Sequence, residues 1–290
     1  CVVDTRVAYC GGINVLDDLL DPNYGVLDSP RLDYAVRVQG PLVADVQAAV
    51  VQFWGRLELT RKLEQFNLQG VRSALEAIQG GAPASAHEPP HPTHGHAFHN
   101  AAAALVLRDN LLNRSRIEQA YRKAIATARH DVLIANAYFV PGARLRRALT
   151  AAAQRGVRVQ LLLQGRYEYF MQFHAARQVY GALMAAGVEI HEYQAGFLHA
   201  KVAVVDGRWA TVGSSNLDPL SLQLAREANI VVDNRAFARA LHARLEHVME
   251  RSGKRVDPMA FASRPWTQRL LDGLAASLVR LMLFLTGRRY

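Results

Sequence analysis

The sequence is poor in cysteine and has no long uninterrupted apolar run. Two cysteines among 290 residues cannot form a disulfide framework, which excludes the small disulfide-stapled domains. No stretch reaches the roughly 18 uncharged apolar residues of a membrane-spanning helix, so none is predicted. Half of the residues are apolar, which is enough to build the core of one large domain or of two smaller ones.

Lysine is also scarce, although positive charge dominates. The chain carries 34 Lys and Arg against 25 Asp and Glu, and residues 234–290 hold 11 of the former and 4 of the latter. A basic end favours an anionic partner, either nucleic acid or acidic lipid headgroups. The lysines are Lys62, Lys123, Lys201 and Lys254. In a chain that otherwise uses arginine, each lysine is a candidate for a specific role.

The chain contains an internal repeat. VVDTR at residues 2–6, followed by GGIN at 11–14, aligns with VVDGR at 204–208, followed by GSSN at 213–216. The offset is 202 residues throughout. A looser match then aligns residues 32–38 with 226–232, and a helical pattern follows each. The repeat predicts two copies of one fold unit and therefore a two-lobed protein.

Proline, glycine and histidine are concentrated between the two predicted lobes. The prolines and glycines of residues 79–100 exclude a helix or a central strand, so we expect a loop there. Its five histidines fit either a metal site or a solvated loop with adventitious affinity, and the second interpretation is favoured. The predicted organisation is a first lobe at 1–78, an inter-lobe loop at 79–104, a second lobe at 105–256 and a basic amphipathic tail at 257–290.

The second predicted lobe alternates helical and strand patterns. Ser115 and Glu118 form a capping-box pattern that opens a helix ending at Ala128. Three apolar runs predict buried strands, at residues 132–139, 157–163 and 188–193. Helices that stop at glycines lie between these runs. The alternation predicts an α/β fold in which each lobe is a mixed β-sheet flanked by helices, with a pseudo-twofold repeat.

The sharpest local pattern is LHAKVAVVDG at residues 198–207. In a strand, the period of two places His199 and Lys201 on one face, and Asp206-Gly207 predicts a hairpin turn. The GSSN segment that follows offers backbone N–H groups and a carboxamide. An imidazole, an ammonium and an amide on one surface suit a phosphate oxyanion, and histidine can attack phosphorus or protonate a leaving oxygen. Taken alone, Asp206 is a turn residue.

These residues carry a family resemblance. His199-x-Lys201-x₄-Asp206, followed by GSSN, resembles the HxKxxxxD signature of the phospholipase D superfamily. Within it the sequence is most similar to bacterial cardiolipin synthases, through YCGGIN at 9–14, YFVP at 138–141, RGV at 155–157 and REAN at 226–229. The resemblance covers nearly the whole chain and implies a two-lobed phospholipase D-like fold.

The resemblance also implies a chemistry: a two-step phosphatidyl transfer through a phosphohistidine, with no metal and no cofactor. It makes His199 the general acid and base, because the first motif usually supplies the nucleophile. The motif positions it assigns are His199, Lys201, Asp206 and Asp4, of which the two aspartates would order their turns. The phosphate ligands it assigns are Asn216, Asn14 and Ser214, beside Lys201. Glu227 and Asp33 would each orient a motif histidine through its second ring nitrogen.

The 202-residue offset places the first motif's His and Lys before Cys1, where the sequence departs from the family. We therefore expect the chain to be a fragment that begins inside its first motif and lacks the nucleophile. The alternative is a single-motif protein that completes its site across a dimer. The retained Asp4, the glycines after it and Asn14 argue against that alternative.

The tail has leucines at helical spacing from Trp266 onwards. It is too short and too charged to span a membrane, and either lies in a membrane interface or packs on the second lobe. A lipid substrate favours the interface. The resemblance accordingly implies anionic phospholipid, such as phosphatidylglycerol, and a membrane surface as partners. It places the protein peripherally on the cytoplasmic face of the bacterial cytoplasmic membrane.

Three function classes compete. The first is a cardiolipin synthase-like phosphatidyltransferase, and the second is a hydrolase of the same superfamily acting on phospholipid or nucleic acid. The third, an inactive binding protein, fits poorly with an intact second motif. The apolar tail favours lipid, and the lack of an aromatic-rich basic stripe gives no reason to expect nucleic acid.

Overall fold

A computed structural model describes residues 1–17, 19–21, 24–64, 97–109, 113–167, 170–218 and 226–285. Most of the predicted histidine-rich loop therefore lies outside the described residues. Within the described ranges, no three His, Cys, Asp or Glu side chains are grouped so as to hold a metal ion. None of the helices in this part of the chain is long and apolar enough to cross a membrane.

The chain forms two compact units, one of residues Cys1–Cys10 and Val36–His99 and the other of Gly11–Ala35 and Asn100–Tyr290. The first unit carries most of a three-stranded sheet, in the order β1-β2-β5, and a long helix. These elements are β1 (Val2–Val3), β2 (Val7–Gly11), β5 (Ala35–Gln39) and α1 (Leu42–Glu64). Residues 11–35 thus group with the second unit, whereas the sequence assigned them to the first lobe.

The second unit is built on an eight-stranded mixed sheet in the order β13-β9-β8-β7-β10-β11-β12-β6. Its strands are β6 (Ala102–Arg108), β7 (Asp131–Asn136), β8 (Arg158–Gln164), β9 (Glu189–Tyr193), β10 (Lys201–Val205), β11 (Trp209–Gly213), β12 (Glu227–Asp233) and β13 (Gly253–Arg255). The pairs β7–β8 and β8–β9 are parallel, and the other pairs are antiparallel. Residues 102–104 were predicted in the loop but lie in β6, because they pair with β12.

Helices cover this sheet, and a short hairpin precedes it in the chain. The hairpin strands are β3 (Leu20–Asp21) and β4 (Gly25–Val26), and the helices are α2 (Arg116–Thr127), α3 (Ala143–Gln154), α4 (Phe170–Ala185), α5 (Arg235–Ser252), α6 (Pro258–Ala262) and α7 (Trp266–Leu285). Leu145 and Leu149 of α3 pack with Leu161 of β8 in the buried core. The predicted α/β alternation is confirmed.

The predicted capping box at the start of α2 does not form. Ser115 is the N-cap residue, but its side chain caps no backbone N–H. Its hydroxyl instead accepts a hydrogen bond from the Gln119 side chain, at 2.7 Å. The helix begins where the sequence predicted, and its stability rests on its buried face rather than on a capping bond.

The internal repeat is present in the backbone. Val3 pairs with Val7 across the first hairpin, and Val205 pairs with Trp209 across the second, so the register repeats as well as the sequence. Both turns have two successive residues with positive φ, at 50° and 56° in the first turn and 51° and 54° in the second. The turn has three residues between the paired positions, and the N–H of the third donates to the carbonyl before the turn, at 3.0 Å in the first copy and 3.1 Å in the second. Its second position is Gly207 in one copy and Thr5 in the other.

Candidate active site

His199 lies immediately before β10, held against the segment that leads into β5. Its backbone N–H donates to the carbonyl of Leu32 at 2.8 Å, and the N–H of Leu32 donates to the carbonyl of Phe197 at 2.9 Å. The sequence had placed His199 inside the strand, which begins only at Lys201. The pairing with Leu32 matters for the site because it brings the next residue, Asp33, beside the imidazole.

The central contact of the site joins His199 to Asp33. Their Nδ1 and Oδ2 atoms are 2.7 Å apart, and both side chains are largely buried. The other carboxylate oxygen of Asp33 accepts the backbone N–H of Tyr34 at 2.7 Å, which fixes the carboxylate. Because Nδ1 is engaged, Nε2 is the ring nitrogen left to face a substrate. The structure thus brings together the two residues that the resemblance assigned to such a pair.

Lys201 is buried beside this pair. Only 2% of the residue is exposed, and its ammonium donates to the carbonyl of His199. A Cβ atom on Gly12 would lie 2.8 Å from a carboxylate oxygen of Asp33 and 3.0 Å from Cδ of Lys201. Gly12 is therefore part of the site, because any side chain there would displace both neighbours. The repeated Gly-rich segment was the sequence signal for this close approach.

Glu227 and Ser214 form a second buried pair. The hydroxyl of Ser214 donates to the Glu227 carboxylate and accepts the backbone N–H of Ala228 at 3.1 Å. Burial raises the pKa of Glu227, while Ser214, Arg108 and Lys201 act to lower it. Ser214 was predicted as a phosphate ligand, but its hydroxyl donates its hydrogen bond to Glu227. Glu227 therefore orients this serine, and its role toward a motif histidine stays a prediction.

The two repeated asparagines differ in their surroundings. Asn216 is buried, whereas Asn14 is exposed. Their predicted role as equivalent phosphate ligands therefore rests on the sequence alignment and not on matching environments.

Asp206 lies at the opposite end of β10 from His199. It lies five positions after Lys201 along the strand, a span of about 16 Å. Its carboxylate accepts the backbone N–H groups of Arg129, His130 and Asp131 at 2.8–3.0 Å. Burial acts to raise the pKa of Asp206, but these three hydrogen bonds outweigh it and hold the pKa below its usual range. Asp206 ties the hairpin turn to the start of β7, which agrees with the turn-ordering role that the resemblance implied for it.

Asp4 occupies the same turn position in the first hairpin, with φ at 50°. In the internal repeat, Asp4 aligns with Asp206. The geometry therefore gives Asp4 a turn position.

Two amide side chains that the sequence analysis did not select position the site. Oε1 of Gln164 accepts the N–H of Leu198 at 3.2 Å, and Oδ1 of Asn136 accepts the N–H of Leu217 at 3.0 Å. Each is the last residue of a parallel strand, β8 and β7. The sequence signal for these two residues was a polar residue at the carboxyl end of a mostly apolar buried strand, because functional sites in such sheets form at the carboxyl ends of the parallel strands.

Comparison with known proteins agrees with this geometry. Residues 121–249 match the family model described as cardiolipin synthase, PLD-like domain. A crystal structure of phosphatidylserine synthase from Haemophilus influenzae superposes with a TM-score of 0.56 at 11% identity, covering 88% of this chain and 64% of that one. The family match lies within the second unit, and the superposition shows a shared fold.

In sequence, the chain is similar to cardiolipin synthases. It is 40% identical to cardiolipin synthase B of Salmonella typhi and 38% identical to that of Escherichia coli K12, each over 265 residues. These alignments cover 91% of this chain and 58% of the relatives. The chain therefore spans less than two thirds of the length of the curated relatives it matches.

Proposed function

We propose that this protein is a phosphatidyltransferase of the cardiolipin synthase type. The observation that carries the proposal is the buried His199–Asp33 contact beside Lys201, in a motif whose relatives are cardiolipin synthases. The donor is a phospholipid such as phosphatidylglycerol, and the acceptor is the hydroxyl of a second phospholipid.

His199 acts as the general acid and then as the general base. In the first step, a histidine of the first motif attacks phosphorus, the bond from phosphorus to the leaving oxygen breaks, and Nε2 of His199 gives that oxygen its proton. In the second step, Nε2 takes the proton of the incoming hydroxyl, whose oxygen displaces the histidine from phosphorus. Asp33 stabilises the imidazolium form through Nδ1. The first-motif histidine is the one that the resemblance places before Cys1.

Lys201 contributes positive charge and shape. Its ammonium is held by the carbonyl of His199, and the side chain is confined by Gly12. A compact ammonium fixed beside the reacting phosphate stabilises the charge that develops on the non-bridging oxygens.

The C-terminal helix α7 supports a peripheral membrane location. On its inner face, Asp272 is buried and bonds His174 at 2.7 Å and Arg264 at 3.0 Å. Its outer face exposes the side chains of Trp266, Leu270, Leu274, Leu278 and Leu281. The sequence analysis gave two alternatives for this helix, packing on the second lobe or lying in a membrane interface, and each applies to a different face. The inner face packs on α4. We propose that the outer face lies on the cytoplasmic surface of the membrane.

Lipid mass spectrometry tests the proposal on the complete encoded protein. Phosphatidylglycerol vesicles are incubated with the wild type and with His199→Ala. The expected products are cardiolipin and glycerol, both absent with the variant. Phosphatidic acid alone would make water the acceptor and favour the hydrolase. Turnover equal to wild type in His199→Ala would contradict the assigned role.

A further inference from the structure

The segment after Gly12 exposes an unusual number of apolar side chains. We call the described residues 13–17, 19–21 and 24–27 the apolar loop. Its exposed apolar side chains include Ile13, Val15, Leu16, Leu19, Leu20 and Val26. Val15 and Val26 have relative exposures of 102% and 83%, so they contact almost nothing within the chain. An apolar surface of this kind in a folded protein indicates an interaction site.

Internal hydrogen bonds give the apolar loop a defined shape. The carboxylate of Asp17 accepts the backbone N–H groups of Leu19 and Leu20 at 2.8 and 3.0 Å. The N–H of Leu27 donates to the carbonyl of Leu19 at 2.7 Å, which closes the hairpin of β3 and β4. The Asp17 carboxylate is thus turned toward the backbone, while the apolar side chains point outwards.

A polar and aromatic cluster anchors the loop to the segment that carries His199. Asp21 forms an ion pair with Arg31, and the Arg31 guanidinium lies 4.9 Å from the centre of the Phe197 ring. The ring of Tyr24 lies 5.1 Å from the same Phe197 ring. Because Phe197 is two residues before His199, the loop is fixed to the backbone that positions the imidazole.

The other end of the loop is also continuous with the site. The loop begins directly after Gly12, whose Cα hydrogens face the Asp33 carboxylate and the Lys201 side chain. One end of the exposed apolar segment therefore adjoins Asp33 and Lys201, and the other packs on Phe197, two residues before His199. A phosphodiester with acyl chains attached is the ligand that this combination fits.

We propose that the apolar loop inserts its outward side chains among the acyl chains of a lipid surface, so that a lipid phosphodiester meets His199 without leaving the bilayer. This inference rests on the proposed function, because it takes lipid as the substrate. The contact is apolar and therefore insensitive to salt, whereas binding by the basic tail weakens as salt rises.

The test measures insertion directly and needs no turnover. Val15→Trp and Val26→Trp are each mixed with phosphatidylglycerol vesicles containing lipids brominated on the acyl chain, and fluorescence quenching beyond that of the parent is recorded. Ala151→Trp is the matched control, because Ala151 is an exposed residue of α3 in the same unit. We expect added quenching at positions 15 and 26 and none at 151.

A second measurement gives the contribution of the loop to binding. Val15→Glu combined with Val26→Glu is expected to weaken vesicle binding at high salt by about tenfold or more, if each valine contributes about 1 kcal/mol. Ala151→Glu should leave binding unchanged. The valines contact almost nothing else, so loss of folding does not account for such a result.

The outcomes separate this inference from the proposed function. Quenching without lipid turnover in the complete protein would support the inserted loop and count against the transferase. Turnover without quenching at either position would overturn the inference and leave the transferase intact. Self-association that the double glutamate variant abolishes, without any quenching, would assign the surface to a second copy of the chain and also overturn it.

Discussion

The role of Asp206 leads to a quantitative prediction about stability. Its carboxylate accepts three backbone N–H groups, with Oδ1 serving His130 and Asp131 and Oδ2 serving Arg129. In Asp206→Asn the amide oxygen can still accept the hydrogen bonds from His130 and Asp131. The amide NH₂ group is a donor, however, and cannot accept the hydrogen bond from the N–H of Arg129. A charge-assisted hydrogen bond is worth roughly 1.5–3 kcal/mol. Because the side chain is only half buried, we expect a loss of about 1–2 kcal/mol in the free energy of unfolding.

The matched control is Asp233→Asn, on the neighbouring strand β12. Asp233 pairs with Arg208 at 2.7 Å, but both side chains are more than half exposed. A surface ion pair of this kind contributes about 0–1 kcal/mol. Urea unfolding at pH 7, followed by circular dichroism, should therefore separate the two variants. Equal losses would show that the three backbone contacts of Asp206 are not what stabilises the turn.

The stabilisation that the Asp206 carboxylate provides depends on pH, and the shift in its pKa fixes whether that stabilisation rises or falls with pH. The folded protein holds that pKa below its usual range, so the carboxylate stabilises the fold above the unfolded value, about 3.9, and this contribution is lost as the pH falls through the lower folded value. The difference in the free energy of unfolding between the wild type and Asp206→Asn should therefore be largest at pH 7 and decrease as the solution becomes acidic. In the complete protein, Asp206→Asn should retain turnover per folded molecule. Loss of turnover without loss of stability would contradict the structural role.

Further predictions concern the site and the repeated turn. Asp33→Asn in the complete protein should lower phosphatidylglycerol turnover by roughly 10²–10⁴-fold, because His199 loses its anionic partner; an unchanged initial rate would refute the pairing. Lys201→Arg should be severely impaired in the same assay, since a planar guanidinium does not fit the space of a confined ammonium, and a near wild-type rate would exclude phosphate contact. Thr5→Gly should raise the free energy of unfolding by about 1 kcal/mol, because a β-branched residue is strained at positive φ. Gly207→Ala should lower it by a similar amount, and urea midpoints that do not move in opposite directions would count against the repeated turn.

Much of the second unit could be predicted from local pattern. The strands from β7 to β11 and the helices α2 and α3 lie where apolar runs, glycine stops and the Asp206-Gly207 turn placed them. The position of the second hairpin was predictable because Asp-Gly marks a turn, but the register was not, since three residues rather than two separate Val205 from its partner Trp209. These features depend on residues close together in the chain, which a single sequence reveals well.

Long-range contacts were harder to predict. The carboxylate of Asp33 meets a histidine 166 positions away, and only the family resemblance indicated such a pair. The bond from Ser214 to Glu227 escaped prediction because a serine hydroxyl serves a phosphate or a buried carboxylate equally well. The close approach at Gly12 depends on two side chains from distant segments. Sequence pattern supplies candidates for such contacts, but the packing of the chain selects the partner.

The most direct test of the account asks whether His199 is the acid and base rather than the nucleophile. The complete protein carrying His199→Ala is given a phosphatidyl ester of p-nitrophenol, a leaving group that departs without protonation. The account predicts one rapid burst of p-nitrophenol per active site and then arrest, because the phosphohistidine forms but no base activates the acceptor. The absence of any burst, with the wild type active on the same ester, would make His199 the nucleophile and contradict the central claim.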